Sequence, residues 1–316
     1  AKDLARLSDV VIENFAPGVI ERLGLGYEDL RSANPDIIMI SSAGLGHFGP
    51  DTDQVAYGTL IQCFTGWSAL QGFPGRDPAI GGIWTDPVVG MMQVFLINAA
   101  LHRRWEQGEG QYIDLSMAEA TTMLLPEAIL DYSMNGRNQQ PLGNQHPSYA
   151  PHGNYPCRGD DQWIGIAAAT DQQWDTLCRS LDLTGLLDDP RFSHALERWQ
   201  HRNALDPILA AATKGLDALE LMAKLQEVGV PAGAALAADQ LWANPQLRER
   251  GFFQSFQDHD GCNRELPVTP WRFDGATEAK MTPQPLRGQH NSYLLEELLG
   301  LPEREIEALV EEQVVY

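Results

Sequence analysis

The chain contains 316 residues, of which 43% are hydrophobic and 21% are charged, a composition typical of a folded protein with a sizeable core. Its length favours two domains. The formal net charge of -21 argues against binding to nucleic acid or to an anionic membrane surface, because both require clustered lysine and arginine side chains.

The first 134 residues predict a parallel α/β sheet. Short segments predict strands at 9–12, 37–41 and 111–115, and the second has continuous rather than alternating apolarity, as in sheets covered on both faces. Helices are predicted between and after these strands, at 17–23, 27–33, 55–70, 87–105 and 117–134.

A change in composition marks a domain boundary. Residues 135–155 are rich in Asn, Gln, Gly, Pro and His and show no clear period, which predicts a long loop. A smaller α/β unit is predicted beyond this loop, followed by a charged, helical C-terminal segment from Asn291. Its strands are predicted at 162–167 and 230–233, and its helices at 171–181, 198–212 and 216–228.

The cysteines and the longest apolar stretch indicate the compartment. Cys63, Cys157, Cys178 and Cys262 are too far apart in sequence to form a paired metal or redox motif, so we expect free thiols in a reducing, cytoplasmic setting. Residues 88–101 are too few to span a bilayer and predict a buried helix. The first residues lack the apolar core of a signal peptide.

Asp86 opens the long apolar helix and is the first candidate catalytic residue. Pro87 disfavours helical backbone at the residue before it and suits a first helical position, which predicts Asp86 as the N-cap. A capping aspartate stabilises a helix by about 1 kcal/mol and needs no further role. Alternatively, a carboxylate at the positive end of the helix dipole, beside the open backbone of Gly81 and Gly82, is suited to act as a nucleophile.

Two glycine-containing turns follow predicted strands. Residues 44–49 fit G-x-G-x-x-G, but Pro50 follows instead of a helix, so a nicotinamide or flavin site is not predicted. Residues 14–18 lie at the carboxyl end of the first strand, where open α/β sheets bind ligands, although an ordinary turn has the same composition. The eight histidines show no metal-ligand spacing, so no metal site is expected.

Taken in order, the motifs resemble the class III CoA-transferases, a CaiB/BaiF-like family that includes formyl-CoA:oxalate and crotonobetaine–carnitine CoA-transferases and α-methylacyl-CoA racemases. The resemblance covers essentially the whole chain. The matching stretches are Asp9–Gly18, Arg22–Gly26, Asn34–Pro35, Gly44–Gly46, Thr85–Gly90, Gly108–Met117, Gly143–Asn144, Ala150–Gly153, Tyr155–Cys157, Gly229–Gly233 and Asn244–Arg248.

The resemblance implies a domain plan. It implies a Rossmann-like, CoA-binding large domain at 1–134, a linker and active-site loop at 135–155, a small α/β domain at 156–270 and a C-terminal return to the large domain at 271–316. It also implies an interlocked dimer, or a hetero-oligomer with a related chain. Family members carry a strand–helix–strand upstream of the segment that starts near Asp9, so this N-terminally truncated chain is expected to bind CoA weakly.

The resemblance also implies site residues. The family's nucleophile falls on Asp86, and a CoA-contacting lysine of some members is Val55 here. The implied CoA contacts are Asn14, Phe15, Ala16, Arg22, Ala56 and Tyr57. The loop that covers the reacting thioester corresponds to residues 143–153, with Gly143, Asn144, His152 and Gly153.

The implied reaction moves CoA from an acyl-CoA thioester to a free carboxylic acid through aspartyl intermediates. It needs no metal or redox cofactor, since CoA enters as part of the substrate. Two alternatives remain. A racemase would use a His/Asp pair, but Asp53 occupies the histidine position, which favours transfer. A non-catalytic partner subunit is favoured by the absent upstream segment and disfavoured by the retained Asp86.

Overall fold

The computed structural model describes residues 1–274 and 281–315. The chain divides into two compact units. Unit 1 comprises Ala1–Gly153 with Arg198–Gln200, and unit 2 comprises Asn154–Glu197 with the described residues from His201 onward. The division into a large domain, a loop, a small domain and a C-terminal return remains a prediction.

A three-stranded parallel sheet forms the centre of unit 1, as predicted. Its strands are β1 (Val10–Glu13), β2 (Ile38–Ala43) and β3 (Gln111–Ser116), in the order β1-β2-β3. Residue 38 of β2 aligns with residue 10 of β1 and residue 111 of β3. Every residue of β2 is buried, including Ser41 and Ser42, which explains why the apolar run at its start does not alternate with exposed polar residues.

Eight helices of unit 1 accompany this sheet. They are α1 (Lys2–Leu7), α2 (Val19–Arg22), α3 (Tyr27–Ala33), α4 (Gly58–Phe64), α5 (Trp67–Leu70), α6 (Thr85–Gln107), α7 (Met117–Thr122) and α8 (Pro126–Asn135). Ala5, Ile20 and Leu30 from the first three helices pack with Ile37 and Met39 in a small apolar core.

Three predictions for the helices of unit 1 are wrong in detail. The helix predicted at 55–70 is broken at Gly66, whose φ of 88° is incompatible with a right-handed helix. The helix predicted at 117–134 is also two helices, because Pro126 starts α8 at its first position. The stretch 88–101 is helical but not buried as predicted, since Met91 and Phe95 on α6 are more than half exposed.

Unit 2 has its own sheets and core. A three-stranded sheet has the order β4 (His152–Pro156), β5 (Trp163–Ala167) and β6 (Ala232–Ala234), with β5 and β6 antiparallel. The sequence did not predict the antiparallel hairpin of β7 (Phe253–Gln257) and β8 (Asn263–Pro267). The helices from residue 171 onward are α9 (Asp171–Ser180), α10 (Ala195–Gln200, whose last three residues belong to unit 1), α11 (Arg202–Thr213), α12 (Ala218–Glu227), α13 (Ala238–Trp242), α14 (Pro245–Glu249) and α15 (Glu303–Glu311), with a 3₁₀ helix at Thr184–Leu187 and a π-helical segment at Tyr293–Leu298.

The core of unit 2 explains where its helices form, although the helix predicted at 198–212 is instead two helices, α10 and α11, separated at His201. Trp174 and Leu177 of α9 pack with Leu205 and Leu209 of α11 around Phe192. Helix α9 begins at a capping box in which the side chains of Thr170 and Gln173 each bind the other's backbone N–H group. Local capping and amphipathic burial therefore agree in this unit.

All four cysteines are free thiols, two of them exposed and two buried. Within residues 1–274 and 281–315, no helix combines the length and the apolar character needed to cross a bilayer.

Candidate active site

The prediction that Asp86 is the N-cap of α6 is wrong, because Asp86 is the second residue of this helix. Trp84 occupies the cap position and Thr85 is the first helical residue. Pro87 therefore lies in the first turn, where its missing N–H group costs nothing because those groups have no partner within the helix. The Asp86 side chain is exposed at the positive end of the helix dipole. Among the described residues, its carboxylate has no hydrogen-bond or ion-pair partner.

Gly58, the first residue of α4, lies directly against this carboxylate. A methyl group on Gly58 would be 2.5 Å from Oδ1 and 2.8 Å from Oδ2 of Asp86. The hydroxyl of Thr85 donates a hydrogen bond to the Gly58 carbonyl at 3.0 Å, which joins the start of α4 to the start of α6. Only glycine leaves the carboxylate where it is. Gly58 was not predicted as a site residue, because the helix predicted at 55–70 places this glycine inside the helix and not at its start.

Gln62 holds the two glycines that precede Asp86. Its fully buried side chain accepts a hydrogen bond from Gly81 N–H at 2.9 Å and donates one to the Gly82 carbonyl at 3.0 Å. Gly82 has no neighbouring atom within 4 Å of the place where a side chain would start. The backbone beside Asp86 is therefore open on one side and fixed by a buried amide on the other. Sequence reasoning also missed Gln62.

The residues assigned to CoA binding lie on two segments. Asn14, Phe15 and Ala16 follow β1 at its carboxyl end and are exposed, and the Phe15 side chain is 47% accessible. The Arg22 guanidinium lies against this turn, with Nη1 3.0 Å from the position that a Cβ atom on Gly18 would occupy. The structure thus brings Arg22 to the turn that carries Phe15.

The second segment leads directly to Gly58. Tyr57 is the N-cap of α4 and its side chain is 69% exposed. Ala56 packs against the turn after β2, since a Cβ atom on Gly44 would lie 2.7 Å from the Ala56 Cβ atom. Gly46 and Gly49 have left-handed φ angles of 87° and 113°, and no helix follows. The turn at 44–49 therefore does not open a helix, and the next helix begins only at Gly58.

The loop at 143–153 is joined to the segment ahead of Asp86 and not to Asp86 itself. The Gly143 N–H group donates to the Gly72 carbonyl at 2.9 Å, and a side chain at 143 would collide with Phe73. His152 Nδ1 lies 2.6 Å from the carbonyl oxygen of Asn144, which closes the loop on itself. The buried Arg198 side chain donates to the Ala150 carbonyl at 3.1 Å.

The described residues contain no group of three or more His, Cys, Asp or Glu side chains placed to hold a metal ion. The arrangement that unit 1 does provide is a free carboxylate at a helix N-terminus, open glycine backbone beside it, and exposed residues at the carboxyl edge of a parallel sheet.

The sequence profile of CoA-transferase family III matches residues 1–291. The chain belongs to this family. The predicted resemblance is confirmed, and the protein is an enzyme of the CoA-transferase class.

Relatives within CoA-transferase family III span most of the chain. It is 32% identical to the succinyl-CoA–D-citramalate CoA-transferase of Chloroflexus aurantiacus, over 97% of this chain and 76% of that protein. It is 30% identical to the succinate–glutarate CoA-transferase of Agrobacterium fabrum, over 93% of this chain and 74% of that protein. The chain thus spans about three quarters of the length of these two relatives.

A solved member of the family has the same fold. The crystal structure of a CaiB/BaiF family protein from Brucella suis superimposes with a TM-score of 0.85 at 32% sequence identity. The match covers 94% of this CoA-transferase and 77% of the Brucella chain.

Proposed function

We propose that this CoA-transferase works through covalent intermediates on Asp86. The observation that carries the proposal is the free, exposed carboxylate of Asp86 in the first turn of α6, with Gly58 leaving both oxygens uncovered. An anionic nucleophile is favoured at this end of a helix, and the first-turn N–H groups are suited to stabilise a developing oxyanion.

The reaction proceeds by exchange at two carbonyl carbons. An Asp86 oxygen attacks the thioester carbonyl, the C–S bond breaks, and a mixed anhydride and CoA thiolate form. The thiolate attacks the aspartyl carbonyl, which releases the first carboxylate and leaves an aspartyl-CoA thioester. The acceptor carboxylate then displaces the thiolate to form a second anhydride. The returning thiolate attacks the acyl carbonyl, giving the new acyl-CoA and free Asp86.

The CoA moiety is proposed to lie on the exposed residues after β1 and before α4. Phe15 is suited to pack against the adenine, and Arg22 to offset phosphate charge in an otherwise acidic protein. The other proposed contacts are Asn14, Ala16, Ala56 and Tyr57. The loop residues Gly143, Asn144, His152 and Gly153 are proposed to cover the thioester during transfer.

The acyl group of the donor thioester and the acceptor acid are both proposed to be short dicarboxylic acids. The names of relatives support this class, since they include succinate, glutarate and citramalate, and a 33% identical enzyme of Acetobacter aceti is an acetyl-CoA:oxalate CoA-transferase. We therefore choose succinyl-CoA as donor, with glutarate, citramalate and oxalate as acceptors.

Intact-protein mass spectrometry tests the covalent mechanism. After incubation with succinyl-CoA alone, the protein should gain the mass of CoA less one water, and hydroxylamine should convert the adduct to a hydroxamate at residue 86. The Asp86→Asn variant should gain neither. Transfer activity without any adduct would contradict the proposal, and deuterium uptake at the α-carbon in heavy water would favour the racemase.

We further propose that the chain assembles with a second copy of itself in the cytoplasm. Met91, Val94 and Phe95 expose apolar surface on α6, and such patches mark interfaces. The free thiols support a reducing compartment. One relative is named as the alpha subunit of a succinyl-CoA–L-malate CoA-transferase. The alternative to a homodimer is therefore an assembly with a different, related chain. Light scattering should give a dimer mass, and a monodisperse monomer would contradict this proposal.

A further inference from the structure

Three ionisable side chains from different parts of unit 1 meet near the carboxyl end of its sheet, where Glu13 and Asp114 both align with Ser41 of β2. Glu13 is the last residue of β1, Asp114 belongs to β3, and His47 lies in the turn after β2. His47 Nδ1 is 2.9 Å from Asp114 Oδ1, and His47 Nε2 is 3.6 Å from Glu13 Oε1. The side chains of Glu13, His47 and Asp114 are only 4%, 12% and 20% exposed. The imidazole is therefore enclosed between two carboxylates.

The contacts of His47 show which of its two ring nitrogens carries the hydrogen in the neutral form. Both Asp114 oxygens face His47, because the His47 backbone N–H group also donates to Oδ2 at 3.4 Å. A carboxylate can only accept, so the hydrogen lies on Nδ1 of His47. Nε2 consequently carries a proton only in the imidazolium form. In the neutral form, its lone pair faces Glu13.

Glu13 links this cluster to the turn at 14–18, which is proposed to bind CoA. Its Oε2 atom accepts the Phe15 N–H group at 2.8 Å. Its Oε1 atom is buried and has no hydrogen-bond partner among the described residues. A buried carboxylate oxygen without a donor is unfavourable, and the nearest group able to supply positive charge is His47 Nε2.

The surroundings of His47 are negative. Burial is the largest cause that raises the pKa of Tyr112 on β3, and the charges of Asp114 and Glu13 raise it further. The imidazole is paired with one carboxylate from β1 and one from β3, and both of these charges also act on Tyr112. Among the described residues, His47 is the only basic side chain paired with Glu13 or Asp114, so neutralising it leaves both carboxylates without an ion-pair partner.

We infer that His47 is a positioning residue for CoA binding: as imidazolium it holds Glu13, and Glu13 fixes the backbone of Phe15. The inference rests on the proposed placement of CoA at Asn14–Ala16. When His47 loses its proton, the hold on Glu13 weakens, Phe15 is released, and the affinity for CoA falls. The chemistry at Asp86 is not directly affected.

Calorimetric titration with CoA between about pH 5.5 and pH 8.5 tests the inference, because histidine changes charge in this interval. Variants are compared with wild type at equal pH, which cancels the ionisation of CoA itself. His47→Gln should raise the Kd about tenfold at the acidic end, the size expected for a lost charge-assisted contact, and should approach wild type at the alkaline end. With saturating acceptor, the change should appear in the KM for succinyl-CoA and not in kcat.

Glu13→Gln gives the second variant. Its amide oxygen can accept the Phe15 N–H group while its NH₂ group donates to neutral His47, so its affinity relative to wild type should improve as pH rises. His102→Gln is the matched control, because His102 Nε2 forms an exposed pair with Glu106 Oε1 at 3.4 Å. This control should follow wild type at every pH.

Two results would overturn the inference. One is a His47→Gln affinity equal to wild type throughout. The other is a pH-independent loss of affinity with a lowered Tm, which would indicate a merely structural role. Failure of the Asp86 mechanism is separate, since it appears as a missing covalent adduct while CoA binding keeps its dependence on His47.

Discussion

The backbone of Gly58 and the carboxylate of Asp86 occupy adjoining space, so closely that one methyl group on Gly58 would lie within 3 Å of both carboxylate oxygens. Two helix N-termini, those of α4 and α6, are therefore packed around the proposed nucleophile. This contact leads to the first prediction.

Gly58→Ala should lower kcat/KM by about 100-fold, because a displacement of roughly 1 Å at a reacting group costs that much. The added methyl must push the Asp86 carboxylate aside. Gly90→Ala, in α6 with no atom within 4 Å of its added methyl group, is the control and should keep full activity with a slightly higher Tm. Full activity in Gly58→Ala would show that the carboxylate position is unimportant.

Asp86→Asn should lower transfer by several orders of magnitude, because an amide cannot form the anhydride. Since Trp84 and not Asp86 is the N-cap, the stability loss should be small, about 0.3–1 kcal/mol for the lost charge at the helix end. Steady-state kinetics and thermal unfolding measure the two effects. A folded Asp86→Asn protein that retains most of its activity would leave only a structural role for this residue.

Arg22→Ala should raise the KM for acyl-CoA with kcat nearly unchanged, because a phosphate contact made equally in ground and transition states contributes only to binding. Arg179→Ala removes the same charge from an exposed pair with Asp175 in unit 2 and should leave both parameters unaltered. Initial-rate kinetics separate the cases. A fall in kcat at constant KM would instead implicate Arg22 in the chemistry.

Gln62→Leu should destabilise the protein by about 1–2 kcal/mol, because the hydrogen bonds from the buried Gln62 amide to the Gly81 N–H and Gly82 carbonyl groups are lost. Activity should fall as well, since these glycines lead into Asp86. Urea unfolding gives the free energy. The exposed Gln172→Leu in α9 is a suitable control, and equal stability of the two variants would argue against the role assigned to Gln62.

Local patterns in the sequence were sufficient for much of the fold. The unbroken apolar run of β2 predicted a central parallel strand, and Tyr27–Ala33 is helical as expected. The predicted helix boundaries were wrong where a single residue interrupts the apolar pattern, as Gly66 and Pro126 do. The exposed face of α6 could not be predicted, because apolar composition alone does not say whether another surface covers it.

The sequence by itself determined the family, the parallel sheet and the candidate Asp86, because motif order and strand composition are properties of the chain read locally. Only the tertiary structure placed Gly58 on Asp86 and His47 between Glu13 and Asp114. The Thr85–Gly58 bond joins residues 27 apart, and the His47–Asp114 contact joins residues 67 apart. No local pattern in the sequence indicates such pairs. They form because separate strands come together in one sheet and separate helices begin side by side.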